Sequence, residues 1–244
     1  MFALNEVRTP NPSPNNASGR ASEPFGDDSK RMAKLTVSQR SVEIIAEGCT
    51  NGGVITGKMF VGGGGARKNF AHHLVAHGLA NVDYRDIAGA DGALVVALDN
   101  AKAGKIGLFS LEENLKEVEV VKKEGGVPEE VMTAKVSDIR NGNCFFVNMV
   151  GDDALSNIEG KMAAFKDTHG LKSGPVELRK NKMVAAMFDD GSGMAWYRAK
   201  VVERPAADGS AMALFVDYGN VGKITTKQVS RAASERESER IARF

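Results

Sequence analysis

Residues 183–188, 195–202, 211–216 and 222–225 are four short runs of mostly apolar and aromatic residues, separated by turns rich in Asp and Gly. Runs this short are strands rather than helices, and turns this tight make each strand the antiparallel neighbour of the next. Such short strands bury a core only by curling onto themselves, so this part of the chain predicts a small β-barrel. Aromatic residues make up only 6% of the 244 residues, yet Phe188, Trp196, Tyr197, Phe215 and Tyr218 all fall within or beside these runs. Strand alternation forces the neighbours Trp196 and Tyr197 to opposite faces, so the rings cannot all be core filler. Trp196 is assigned to the core, and its neighbour to an open face.

Upstream, residues 112–130 hold seven acidic and three basic side chains and pass through Gly125, Gly126 and Pro128. That shift in composition marks a linker and divides the chain in two. Before it, the pattern gives a loop at 8–16, helices at 28–37, 69–79 and 91–103, and strands at 41–46 and 54–61. After it come strands at 132–139 and 144–150 around an Asn141-Gly142-Asn143 turn. A helix follows over 153–169, with Leu155, Ile158, Met162, Ala163 and Phe165 at helical spacing. The fold class is therefore α+β, mostly β. The domains expected are 1–111, a linker at 112–130, a second module at 131–231 with its barrel core at 180–228, and a polar tail at 232–244.

Composition narrows the function. Lys and Arg number 32 against 31 Asp and Glu, a net charge of +1, so no global field marks a nucleic-acid or membrane-surface binder. Arg179, Lys180, Lys182, Arg198 and Lys200 form a local basic run that offers an RNA contact. No apolar run reaches the length of a membrane span, and no membrane partner is expected. Two cysteines, Cys49 and Cys144, make no disulfide framework and suit a cytoplasmic, and also nuclear, chain. His72, His73 and His77 share a predicted helix without a carboxylate or thiol within a turn, which reads as surface histidines rather than a metal site.

Trp196-Tyr197-Arg198-Ala199 followed by Phe215-Val216-Asp217-Tyr218-Gly219-Asn220 resembles the signature of the Tudor domain family. That resemblance implies a five-stranded barrel whose rings box a methylated side chain. The box would be Phe188, Tyr197, Phe215 and Tyr218, with Asn220 accepting a hydrogen bond from a guanidinium. Phe215 stands where many relatives carry Tyr, which keeps a ring and drops a hydroxyl. The strand pair and helix before the barrel resemble the extended form of that domain, in which the barrel is inserted into a nuclease-like OB-type fold. The box residues alone leave methyl-lysine open beside methylarginine.

Residues 1–111 resemble a staphylococcal-nuclease-like repeat, through Glu23-Pro24-Phe25-Gly26-Asp27 and the run from Leu74 to Val82. Taken together, residues 2–230 are similar to the Tudor–staphylococcal-nuclease family. Enzymes of the nuclease fold use calcium-binding carboxylates, a glutamate base and two arginines; the matching places here hold Ala3, Arg8, Asn11 and Thr56. The resemblance thus implies a repeat without catalytic residues, metal or cofactor. It also implies that the repeat lacks its first strands and leaves a sheet edge unpaired, so residues 1–111 should be the less protected half. The expected function is a scaffold that binds dimethylated arginine on RNA-processing partners, with RNA contact besides. The alternative is a nuclease subunit of an RNA-induced silencing complex.

Overall fold

The computed structural model describes residues 1–13, 21–62, 67–83, 92–115, 130–168 and 177–230. The greater part of the acidic linker and the whole polar tail lie outside the described residues, as do residues 14–16 of the expected loop. The chain divides into two compact units, Met1–Val150 and Gly151–Phe244.

In the first unit, β1 (Phe2–Leu4), β3 (Ser41–Cys49), β4 (Ile55–Val61), β7 (Glu130–Asn141) and β8 (Cys144–Met149) pair in the order β1-β8-β7-β3-β4. A parallel pairing of β1 with β4 then closes the ring, with Ala3 beside Thr56. The short strands β2 (Val7–Arg8) and β6 (Asn81–Val82) pair with each other, and β5 (Lys68–Asn69) pairs antiparallel with the end of β4. Helices α1 (Gly26–Val37), α2 (Phe70–Ala76) and α3 (Gly92–Ala103) complete the unit. Asn69 caps α2 by accepting from the Ala71 N–H at 2.8 Å, one of the orphan donors of a helix start. The core gathers Phe2, Ile44, Met59, Phe70, Leu74, Leu94, Phe109, Val136 and Phe145, all fully buried.

This closure corrects the expectation of an unpaired edge. The hairpin β7–β8, which the sequence places in the second module, supplies two of the five barrel strands to the nuclease-like unit. Its register with β3 runs from Ser41 opposite Lys135 to Ala46 opposite Glu130. Its tip is fitted as closely as its flanks. The Asn143 amide donates to the Val7 carbonyl at 3.0 Å and accepts from the Thr9 hydroxyl at 3.0 Å. At Gly142 a Cβ would overlap the Ser29 hydroxyl of α1 and come within 2.9 Å of the Thr9 methyl, so only glycine lets the turn seat there. Inside, Phe145 meets Phe70 edge-on with ring centres 6.0 Å apart. The sequence groups the hairpin with the helix that follows it, whereas its pairing partners β1 and β3 lie in the first unit.

In the second unit, β9 (Met183–Asp189), β10 (Met194–Val201), β11 (Ser210–Phe215) and β12 (Val221–Thr225) form an antiparallel meander. The fifth strand is reduced to a bridge between Val229 and Ala186, with the Ser230 N–H donating to the Ala185 carbonyl at 3.2 Å. Helix α4 (Ala154–Thr168) packs on β10. Alternation sorts the side chains into two clusters. Val184, Ala186, Ala199, Val201, Ala213, Phe215 and Ile224 fill the barrel. Ala185 and Trp196 point the other way and bury against Met162, Ile158 and Phe165. The Trp196 and Phe165 rings meet edge-on at 5.4 Å.

Candidate functional site: an aromatic box at the barrel mouth

Strand period places the box. On β9 the inward set is Val184, Ala186 and Phe188; on β10 it is Tyr197, Ala199 and Val201; on β11 it is Ala211, Ala213 and Phe215. Phe188 and Phe215 thus sit near the ends of their strands, in line with the barrel core. Tyr218 follows in the turn after β11. That turn is held by the Gly219 N–H donating to the Phe215 carbonyl at 2.7 Å and the Phe215 N–H donating to the Asn220 carbonyl at 2.9 Å.

The four rings converge. Phe188 and Phe215 lie 4.5 Å apart and tilted, Tyr197 and Phe215 6.0 Å apart and edge-on, and Tyr197 and Tyr218 5.5 Å apart and edge-on. Phe188 meets Tyr197 at 6.3 Å, also edge-on. Phe215 is 1% exposed and so forms the floor, while Phe188, Tyr197 and Tyr218 are half-buried walls. Gly222 makes this spacing available: a Cβ there would stand 3.0 Å from Phe188 Cε2 and 3.2 Å from Phe215 Cε2. Asn220 is half-buried at the end of the same turn, where the sequence placed it beside the rings.

Carboxylates fix both tyrosines. The Tyr197 hydroxyl donates to Asp190 Oδ2 at 2.9 Å, and the Tyr218 hydroxyl donates to Glu159 Oε1 at 2.6 Å. Burial first, then the bond to Asp190, pushes the Tyr197 phenol up to about 12. Burial and then Glu159 push the Tyr218 phenol up as well. Asp190 itself is held below the usual carboxylate range, first by the Ser192 hydroxyl, then by the Ser192 N–H and Tyr197. Both phenols therefore stay neutral donors at physiological pH, and their carboxylate partners leave a negative environment beside the ring faces.

The basic run fares differently. The Arg198 side chain is 11% exposed and pairs two-pronged with Asp217: Nε donates to Oδ2 at 3.0 Å, and Nη2 donates to Oδ1. It lies on the strand face opposite to Tyr197 and ties β10 to the turn carrying Tyr218. The sequence shows this charge but not its partner in the Asp217-Tyr218-Gly219-Asn220 turn. Arg179 pairs with exposed Glu177 at 2.7 Å. Lys182 and Lys200 flank the opposite end of β9 from Phe188, where the Val201 N–H donates to the Lys182 carbonyl at 3.0 Å, and Lys180 is exposed nearby. Glu159, Asp190 and Gly222 were not singled out by sequence reasoning. The Asp-rich turn before Trp196 was the one signal for Asp190; nothing local marks Glu159.

In the nuclease-like unit the places expected to hold the two arginines, Ala3 and Thr56, are direct register partners on β1 and β4. Arg8 is exposed, and the Asn11 amide is bonded to Glu23 at 2.9 Å. The His73 and His77 rings lie 4.5 Å apart, and the described residues contain no group of three or more His, Cys, Asp or Glu able to hold a metal ion. No helix among the described residues is long and apolar enough to cross a membrane.

Comparison with known proteins matches residues 1–111 to the staphylococcal nuclease homologue family and residues 127–242 to the Tudor domain family. Ribonuclease TUDOR 2 of Arabidopsis thaliana is 27% identical over 233 residues, which is 90% of this chain and 22% of that protein. Staphylococcal nuclease domain-containing protein 1 of Drosophila melanogaster is 28% identical over 239 residues, 91% of this chain and 24% of that protein. The chain thus spans about a quarter of the length of these relatives. Among solved structures, the extended Tudor domain of Drosophila melanogaster Tudor-SN is 28% identical, with a TM-score of 0.31 over 35% of this chain and 39% of that one. The human TDRD1 extended Tudor domain, solved with a symmetrically dimethylated E2F peptide, is 21% identical, with a TM-score of 0.35 over 40% of this chain and 46% of that one. The chain therefore carries a staphylococcal nuclease homologue domain followed by a Tudor domain, and about nine-tenths of it aligns with the two relatives named above.

Proposed function

We propose that the box binds a dimethylated arginine side chain of a partner protein, and that the chain serves as a binding scaffold in RNA-processing or RNA-silencing assemblies. The observation that carries this reading is the convergence of Phe188, Tyr197, Phe215 and Tyr218 at one barrel end, with carboxylates behind two of the rings. A methylated guanidinium keeps its charge, loses donors and gains apolar surface. Ring faces answer both properties, each contributing roughly 0.5–2 kcal/mol through cation–π attraction. A cytoplasmic location, with nuclear access, fits this role. Lys180, Lys182 and Lys200, at the far end of β9, are the residues through which RNA contact would run. The nuclease reading finds less support, because Ala3 and Thr56 bring no guanidinium to the place where phosphate charge would be stabilised.

The test is a calorimetric titration of the whole chain with matched peptides carrying unmodified, symmetrically dimethylated or asymmetrically dimethylated arginine, or trimethyl-lysine. A dimethylarginine peptide should bind at least about ten-fold more tightly than the unmodified one, from two or more added ring contacts. Equal affinity for all four peptides, or a preference for lysine, would overturn the reading.

A further inference from the structure

Three of the four rings are held by their strands. Phe188, Tyr197 and Phe215 pack on the barrel core, and β9, β10 and β11 fix their backbones. Tyr218 is different. It lies beyond the end of β11, and the ring nearest to it is Tyr197, met only edge-on. A turn fixes such a ring less firmly than a paired strand does. Its hydroxyl, however, reaches Glu159 Oε1 at 2.6 Å, a short bond of the kind a carboxylate acceptor makes.

Glu159 is in turn well placed. It follows Ile158 on α4 and precedes Met162 by three residues, and both of those, with Phe165, bury against Trp196. The helix is thereby pinned to the outer face of β10, while Tyr197, the next residue, forms a wall of the box on the inner face. Trp196 anchors the helix, the helix carries Glu159, and Glu159 holds Tyr218 opposite Tyr197.

We infer that Glu159 is a positioning residue of the box: from helix α4, its carboxylate holds the Tyr218 ring in the orientation that presents a face to the bound cation. This rests on the methylarginine reading above and extends the site to an element outside the barrel. It makes the helix part of the ligand site instead of a prop for the core. Asp190 does the same for Tyr197 from within the β9–β10 turn, but Tyr197 is also held by its strand, so the dependence on its carboxylate is smaller.

Two measurements on the full chain decide this. In dimethylarginine peptide titrations, Glu159→Ala should weaken binding about five-fold, roughly the net value of one typical intramolecular hydrogen bond. Glu159→Gln, which keeps an acceptor, should recover most of that loss. In a Tyr218→Phe background, Glu159→Ala should add nothing. The second measurement needs no ligand. The Tyr218 hydroxyl donates to Glu159, which raises its phenol, so in an ultraviolet titration with alkali the Tyr218 phenol should ionise at lower pH when Glu159 becomes Ala. Unchanged affinity in Glu159→Ala, an equal loss with Phe at 218, or an unaltered phenol titration would each overturn the inference. If the wild-type chain binds no methylated peptide, the methylarginine reading fails, while the phenol titration still decides whether Glu159 holds Tyr218.

Discussion

Phe145→Ala should strongly destabilise the amino-terminal unit, although residue 145 lies beyond the linker that divides the sequence. Its side chain is fully buried in the first unit and packs edge-on against Phe70 of α2. Truncating a buried Phe removes its transfer free energy and leaves a cavity, together ~3–5 kcal/mol. A single domain has only about 5–15 kcal/mol in hand, so this is a large share of the total. Amide protection should fall across β3 and α2, whose strands and core depend on the hairpin, and remain across β9–β12. Cutting the chain within residues 116–129 should leave the hairpin bound to the first unit, since β7–β3 and β8–β1 pairing does not require the covalent connection. Protection lost only between residues 183 and 230 in Phe145→Ala would mean that the hairpin belongs to the second unit, as its sequence position suggested.

The hairpin also shows where sequence reading reaches and where it stops. The strand pair was legible from the Asn141-Gly142-Asn143 turn that joins it. Which sheet they join was not, because pairing is decided by complementary faces and by which barrel has strands to spare. The rings divide in the same way. Alternation from Trp196 to Tyr197 was enough to separate a buried ring from an open one. It could not show that Trp196 buries outside the barrel, under α4, or that Phe215 is a floor and not a wall. Arg198 looked like surface charge because its partner, Asp217, is nineteen residues away and meets it only after β10 and β11 pair.

Trp196 and its neighbours at the mouth should respond in opposite ways to truncation. Trp196 is 6% exposed and joins helix to barrel, so Trp196→Ala should cost the second unit ~3–5 kcal/mol through a core cavity. Tyr218→Ala removes a half-buried ring from a turn and should cost under about 1 kcal/mol, as expected for a change outside a packed core. Tyr197→Ala falls between, because that ring also packs on the barrel core. Binding should invert the order: either tyrosine variant should weaken dimethylarginine peptide about ten-fold, or ~1–2 kcal/mol, by removing a ring from the box. Thermal unfolding and peptide titration on each variant provide the comparison. Tyrosine variants as unstable as Trp196→Ala, with binding unaffected, would make the aromatics core filler.

If four rings enclose the methylated end of an arginine, the methyl groups themselves report on it. Protons held over aromatic faces are shielded by ring currents. Titrating the chain into a peptide with isotopically labelled N-methyl groups should therefore move the methyl proton resonances upfield, and Tyr218→Ala should shrink that movement along with the affinity. Methyl resonances that stay at their free positions while the peptide binds would place the arginine outside the box and contradict the account.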